Sequence, residues 1–280
     1  MRFTKMHGNG NDYIYVECFT QNVREEDAPG LARMVSNRNK GIGSDGLVLM
    51  RPSQIADCKM NMYNADGSQG MMCGNAVRCI GKFLYDKGFC KNKNLTVETL
   101  NGVKILELSL NPEGTVEIIR VNMGKPDFNP ASIPMNYSGK DFITMPIMAA
   151  GREFIGTCVN TGPPHLVVYV EDLDNFDADT YGPALEKHAI FPDRTNVNFV
   201  QVLSREHIKT RTWERGSDET LACGSGASAS AVVSALLNKT NRAPKVTQRG
   251  GDLLIEWDEV SDDIFMTGPA AFICDGEYLF

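Results

Sequence analysis

Two cysteines sit in settings suited to acid–base chemistry. Over residues 62–76 the chain reads MYNADGSQGMMCGNA, in which Asn64, Asp66, Gly67, Ser68 and Gly70 are turn formers and Gly74-Asn75 follows Cys73 directly. From Asn75 to Lys87 the apolar residues Val77, Ile80, Phe83 and Leu84 fall at helical spacing, and Gly88 follows as a C-cap. Cys73 is therefore expected at the mouth of a helix N-terminus. Uncommitted backbone N–H groups and the helix dipole favour negative charge there, which binds a carboxylate and lowers the pKa of a thiol.

The arrangement recurs. Glu214 to Ala229, ERGSDETLACGSGASA, is again an acidic, glycine-rich turn, then Leu221-Ala222, then Cys223-Gly224 opening an Ala/Ser-rich helix that runs to about Leu237. Each motif begins nine residues before its cysteine, at Asn64 and Glu214, and the cysteines are 150 residues apart in a chain of 280. A weaker echo pairs Tyr13-Ile-Tyr-Val-Glu17 with Val167-Val-Tyr-Val-Glu171. The expectation is two copies of one fold facing each other. Thiols on opposite faces of an amino acid suit one reaction: a thiolate removes the α-proton and the other thiol returns one, inverting the centre. The helix N-termini would hold the α-carboxylate as charge gathers on it. No segment specifies a Schiff-base lysine, so no cofactor is expected, and such a site must exclude water and rely on fixed dipoles.

The surrounding elements read as an α+β chain: two pseudo-symmetric domains, each a mostly antiparallel sheet or barrel wrapped around a central helix, with the active site in the cleft between them. Residues 3–19 are a strand interrupted by the turn His7 to Asn11, and residues 24–38 an amphipathic helix. GIGSDGLVLM, 41–50, is a glycine-rich turn feeding a strand and lacks the Lys-Ser/Thr of a phosphate loop. Short strands follow over 94–123, separated by Asn-Gly and Pro-Glu-Gly turns. The Pro- and Asn-rich run 126–136 is the crossing. Strands resume through PIMAAGREFIGTCVNTG, HLVVYVED and NVNFVQVL, with a helix near 179–189 and strands again over 251–280. The expected domains are 1–120, with 265–280 returning to it, and 121–264.

Composition narrows the function. An apolar share of 42% suffices for ordinary cores, while a net charge of −7 and no basic run argue against nucleic acid. The start MRFTKMHGNGND has no apolar leader and no run reaches membrane-span length, so a cytoplasmic protein with no membrane partner is expected. The eight cysteines include no CxxC pair, and His7, His165, His188 and His207 are not at ligand spacings, so no metal site is expected. Cys18, Cys58, Cys79, Cys158 and Cys274 are expected to act as small buried hydrophobes, and Met71, Met72 and Leu221 as packing residues. The expected partner is a small amino-acid substrate, with a homodimer as the candidate assembly.

MHGNGNDY, GIGSDGLV, NADGSQGMMCGNAVRC, GPPH, NVNFV, WERGSDETLACGSGASA and GGDL occur in that order over nearly the whole chain. With them the sequence resembles the diaminopimelate epimerase family of the cofactor-independent amino-acid racemases. The resemblance implies that Cys73 and Cys223 exchange the roles of base and acid, and that Gly74, Asn75, Gly224 and Ser225 hold the reacting carboxylate. It further implies that Asn11, Asn64, Asn196, Glu214 and Arg215 bind the substrate, the last two at its distal end, and that His165 and Glu214 tune the thiols. The family's activity interconverts LL- and meso-2,6-diaminopimelate in lysine and peptidoglycan biosynthesis. Two positions depart from its pattern. Pro163 stands where an asparagine commonly contacts the distal end, and Asp218 where a glycine is usual. Both touch recognition and not the thiol pair. Two other readings stand beside this one: a sister racemase of another amino acid, such as histidine, with the same thiols, and a thiol redox or binding protein, which the missing CxxC disfavours.

Overall fold

The first two strands, β1 (Arg2–Gly8) and β2 (Asn11–Glu17), are antiparallel and joined by Asn9-Gly10, both left-handed at φ 53° and 84°. Such a two-residue turn matches the twist of the strands it joins. In this computed structural model residues 1–279 are described, and the chain divides into two compact units, Met1–Asn122 completed by residues from Thr267 onward, and Met123–Met266.

In the first unit, helix α1 (Ala28–Ser36) leads to β3 (Gly46–Arg51), which lies parallel to β2. β4 (Cys58–Asn64) is antiparallel to β3 and carries the two-residue β5 (Gln69–Gly70) on its end. Helix α2 (Gly74–Asp86) then crosses to β6 (Asn94–Thr99), parallel to β4, and β7 (Gly102–Leu110) and β8 (Val116–Gly124) continue as a meander.

The second unit repeats this order. β9 (Met145–Ala149) and β10 (Arg152–Asn160) are antiparallel, and β10 pairs with β11 (Pro164–Tyr169). Helix α3 (Ala178–Glu186) leads to β12 (Asn196–Ser204), parallel to β11, and β13 (His207–Glu214) returns against it with β14 (Asp218–Thr220) on its end. Helix α4 (Gly224–Leu236) crosses to β15 (Lys245–Gln248), parallel to β13, and β16 (Gly251–Trp257) pairs with β15. β17 (Ile264–Pro269) carries the chain back, and β18 (Ala271–Glu277) lies antiparallel beside β1.

Pairing pattern and helix placement agree from β1 to β7 and from β10 to β16, so the repeat inferred from the two cysteines is a repeat of topology. The register corrects the weaker echo. Tyr13 lies beside Gly46, the first residue of β3, and His165 beside Asn196, the first residue of β12. His165, and not Val167, therefore takes the place of Tyr13.

The two central helices are buried by different means. α2 buries Val77, Ile80, Phe83 and Leu84. α4 is built of small residues, and two of its buried serines fold back on the helix: Ser228 Oγ donates to Gly224 O at 3.0 Å and Ser230 Oγ to Gly226 O at 2.7 Å. These bonds offset the desolvation of the hydroxyls and leave a narrow cylinder that strands can approach closely. The first core packs α1 residues Leu31, Ala32 and Val35 under Ile14, Val16, Leu47 and Leu49; the second gathers Phe154, Leu166, Leu185, Val197, Phe199 and Trp213.

Several sequence expectations are corrected. The helix expected over 24–38 is shorter: a 3₁₀ turn at Glu25–Asp27 precedes α1, whose second residue, Pro29, suits a helix start. Cys58, Cys79 and Cys158 are fully buried, but Cys274 is exposed. Met71 and Leu221 are 62% and 54% exposed, because each lies in the tight reversal just before a cysteine, where a side chain turns outward. Among the described residues no helix is long and apolar enough to cross a membrane.

Candidate active site

In the first unit Cys73 is the N-cap of α2, with Gly74 and Asn75 as the first two helical residues, both buried. The first amides of a helix have no intrahelical acceptor, so this end presents donors. The Cys73 thiol donates to Asn11 Oδ1 at 3.3 Å, and Asn75 Nδ2 reaches the same oxygen at 3.5 Å. Asn11 Nδ2 donates to Asp45 Oδ2 at 2.7 Å, and Arg38 Nη2 bridges Asp45 and Asp12 at 2.8 Å each. Burial opposes ionisation of Asp12, but its bonds from Arg38 and Lys5 outweigh it and hold the carboxyl below its ordinary range. Asn64 ends β4, where its Nδ2 donates to Ser68 Oγ at 2.9 Å.

Behind the helix mouth lies Arg78, fully buried. Its Nη2 donates to Asn9 Oδ1 at 2.8 Å and Asn75 Oδ1 at 3.0 Å, its Nη1 to Gly74 O at 3.3 Å, and its Nε to Pro269 O at 3.1 Å. One side chain thus ties together the β1–β2 turn, the start of α2 and the strand that returns at the end of the chain. Burial pulls its pKa down, while the fields of Cys79, Cys73 and Tyr15 push it up.

In the second unit Cys223 caps α4, followed by Gly224 and Ser225. Its sulfur accepts from the Gly226 N–H at 3.4 Å and lies 3.4 Å from Ser225 Oγ. Gln248 Nε2 donates to Cys223 O at 3.0 Å, and Thr161 Oγ1 to Ser225 O at 3.0 Å. Asn196 Nδ2 donates to Pro164 O at 3.1 Å while its Oδ1 accepts from the Arg215 N–H at 2.8 Å. Glu214 ends β13 and accepts from Thr220 Oγ1 at 2.6 Å; the exposed Arg215 bonds Asp193 O through Nη1 at 3.1 Å.

His165 has no exposed surface, and its Nδ1 lies 3.0 Å from Asn198 Nδ2. Asn198 also donates to Leu166 O at 3.3 Å and accepts from Thr212 Oγ1 at 3.0 Å, so its amide nitrogen faces the ring. Nδ1 is then an acceptor, and the ring proton sits on Nε2. Burial, reinforced by the charge of Arg215, lowers the His165 pKa to about 3. The imidazole is neutral and presents a donor.

Among the described residues no three His, Cys, Asp or Glu side chains gather as a metal site. Of the residues singled out in the sequence, the first unit brings Asn11, Cys73, Gly74 and Asn75 together. The second brings Cys223, Gly224 and Ser225 to one helix start, and joins Asn196 to Arg215. The sequence alone does not single out Arg38, Asp45, Arg78, Asn198 or Gln248. An arginine within an amphipathic helix pattern reads as a solvated residue, and pairs such as Asn11 and Asp45 carry no local signal.

The family described as diaminopimelate epimerase matches residues 3–129 and 157–273. The chain belongs to the diaminopimelate epimerase family. Diaminopimelate epimerase of Acetivibrio thermocellus is 49% identical over 277 residues, covering 99% of this chain and 98% of that protein. Diaminopimelate epimerase of Methanococcus maripaludis is 46% identical over 277 residues, covering 99% of each. Membership makes the chain an isomerase, as the two cysteine motifs imply. Solved structures extend the likeness of fold beyond the diaminopimelate epimerases. A Bacillus anthracis phenazine biosynthesis protein of the PhzF family aligns with a TM-score of 0.70 at 17% identity over 100% of this chain and 99% of that one. A probable proline racemase from Agrobacterium radiobacter aligns with a TM-score of 0.70 at 13% identity over 99% and 92%.

Proposed function

We propose that the protein is a diaminopimelate epimerase, interconverting LL- and meso-2,6-diaminopimelate by thiolate and thiol, without a cofactor, in lysine and peptidoglycan biosynthesis in the cytoplasm. The observation that carries this is the repeated device itself: two cysteines, each the N-cap of a buried central helix in one copy of a repeated topology.

In this reading one cysteine, as thiolate, takes the α-proton, and the electron pair left on carbon spreads into the α-carboxylate. The other, as thiol, delivers a proton to the opposite face, leaving the pair with charges exchanged and ready for the reverse direction. The helix starts at Gly74-Asn75 and Gly224-Ser225 supply fixed N–H donors where that charge develops. A guanidinium fork such as that of Arg215 matches a second carboxylate, and Glu214 matches the distal ammonium. His165, neutral, acts as a hydrogen-bond donor and not as a competing base.

The reading is tested by incubating the enzyme with LL-diaminopimelate in D₂O and following α-deuterium and configuration by NMR. Exchange with epimerisation is expected in the parent, and Cys73→Ala and Cys223→Ala should each fall by about 10³-fold or more, as for loss of an essential acid–base group. Near-parental turnover by either variant would sink the two-base scheme. Pro163 favours testing a second substrate class, because proline can supply neither an amide side chain nor an N–H at the position that reads the distal end. A panel of other amino acids in the same assay, histidine included, shows whether recognition has moved.

A further inference from the structure

We propose that Asp45 is a positioning residue for the Cys73 thiol, acting through the amide of Asn11. The proposal rests on Cys73 being an acid–base group of the reaction. A carboxylate only accepts hydrogen bonds, so Asp45 Oδ2, 2.7 Å from Asn11 Nδ2, dictates which end of that amide faces it. The opposite end, Oδ1, is thereby turned to the sulfur, which donates to it at 3.3 Å. Were the amide reversed, its NH₂ would face the S–H donor and its oxygen would face a carboxylate, repelling at both ends.

Asp45 is itself over-determined. Oδ1 accepts from Arg38 Nη2 at 2.8 Å, Oδ2 also accepts from the Asp12 N–H at 3.1 Å, and the Asp45 N–H donates to Asp12 O at 2.8 Å. Asn75 supports the same orientation from the other side, since Arg78 holds its Oδ1 and so turns its Nδ2 toward Asn11. Arg78, Tyr15 and Cys79 are ionisable groups of this unit that interact with Cys73 through their fields. None of them bonds the Asn11 amide, and Asp45 is the group that orients it.

Among the described residues the second unit has no such pair. Thr195 precedes Asn196 as Asp45 precedes Gly46, and Pro163 precedes Pro164 at the opening of β11. There the sulfur of Cys223 accepts from a backbone N–H, whereas the sulfur of Cys73 donates to a side chain. The Asp45–Asn11 pair therefore acts on one thiol of the two, and the other is an internal control.

The test compares the full-length parent with Asp45→Ala and Asp45→Asn, the latter keeping an oxygen that can accept from Asn11. Alkylation of Cys73 and Cys223 by iodoacetamide at pH 7.5 is followed separately by peptide mass spectrometry, alongside kcat for diaminopimelate. In Asp45→Ala the freed amide can turn its NH₂ to the sulfur and favour the thiolate. Cys73 should then alkylate about fivefold faster with Cys223 unchanged, and kcat should drop about tenfold, with Asp45→Asn recovering most of both. Unchanged Cys73 alkylation, a parallel rise at both cysteines, or a kcat in Asp45→Ala within twofold of the parent would overturn the proposal. Alkylation needs no substrate, so it judges Asp45 even where a parent inactive on diaminopimelate would defeat the functional reading.

Discussion

Gly226 lies so close to Asn198 that a Cβ on it would stand 2.5 Å from Asn198 Oδ1, and 2.8 Å from Thr212 Oγ1. Both atoms belong to the buried network that orients His165. Gly226→Ala should therefore cost about 1–3 kcal/mol, as overpacking does in a closed core, measured by urea denaturation. Gly30, within α1, has nothing within 4 Å of such a Cβ, and Gly30→Ala should instead stabilise by roughly 0.5–1 kcal/mol. Equal effects at the two glycines would contradict the packing argument.

Arg78→Met should remove about 3 kcal/mol or more, because Asn9 Oδ1, Asn75 Oδ1, Gly74 O and Pro269 O each lose a charged donor in the interior. Arg78→Lys should rescue little, since an ammonium cannot span acceptors laid out for a planar fork. Chemical denaturation of the two variants measures this, and a lysine variant as stable as the parent would show that charge alone suffices.

His165 ties stability to pH. Its folded pKa is about 3 against an ordinary value near 6.5, so between these values the unfolded chain binds a proton that the folded chain refuses. The contribution is complete above about pH 6.5 and falls by about 1.4 kcal/mol per pH unit as pH drops toward 3. Between pH 6.5 and 5, above the range where carboxylates titrate, the parent should lose about 2 kcal/mol more than His165→Gln. Parallel stability curves for the two proteins over that interval would show that the ring is not held neutral.

Asn196 links the segment before His165 to the turn that carries Arg215. Asn196→Ala should raise KM for diaminopimelate about tenfold with a smaller effect on kcat, the pattern expected when a group that reads the far end of a substrate is loosened. Steady-state kinetics checks this; a kcat defect with KM unchanged would place Asn196 at the reacting end instead.

Much of this architecture was legible because it is local. Turn formers, a cysteine, Gly-Asn or Gly-Ser and then an apolar run make a helix start visible at both Cys73 and Cys223. Strand β13 is not legible, since its HIKTRTWE pattern buries Thr210 and Thr212 beside Ile208, and buried threonines do not announce a core face. Met71 and Leu221 misled for the converse reason, as apolar type says nothing of a side chain's direction in a reversal. The tie between Asn11 and Asp45 spans 34 residues, and Arg78 meets Pro269 across 191, so neither leaves a periodic trace.

The terminal strands have a consequence for biosynthesis. β1 is flanked by β18, and the Met1 ammonium donates to Tyr278 O at 2.8 Å, yet all of the second unit lies between them in the chain. On the ribosome the residues of the second unit are all available before the first can gain its last strand. The first unit must therefore wait with an open edge along β1 until the chain has been made through β18.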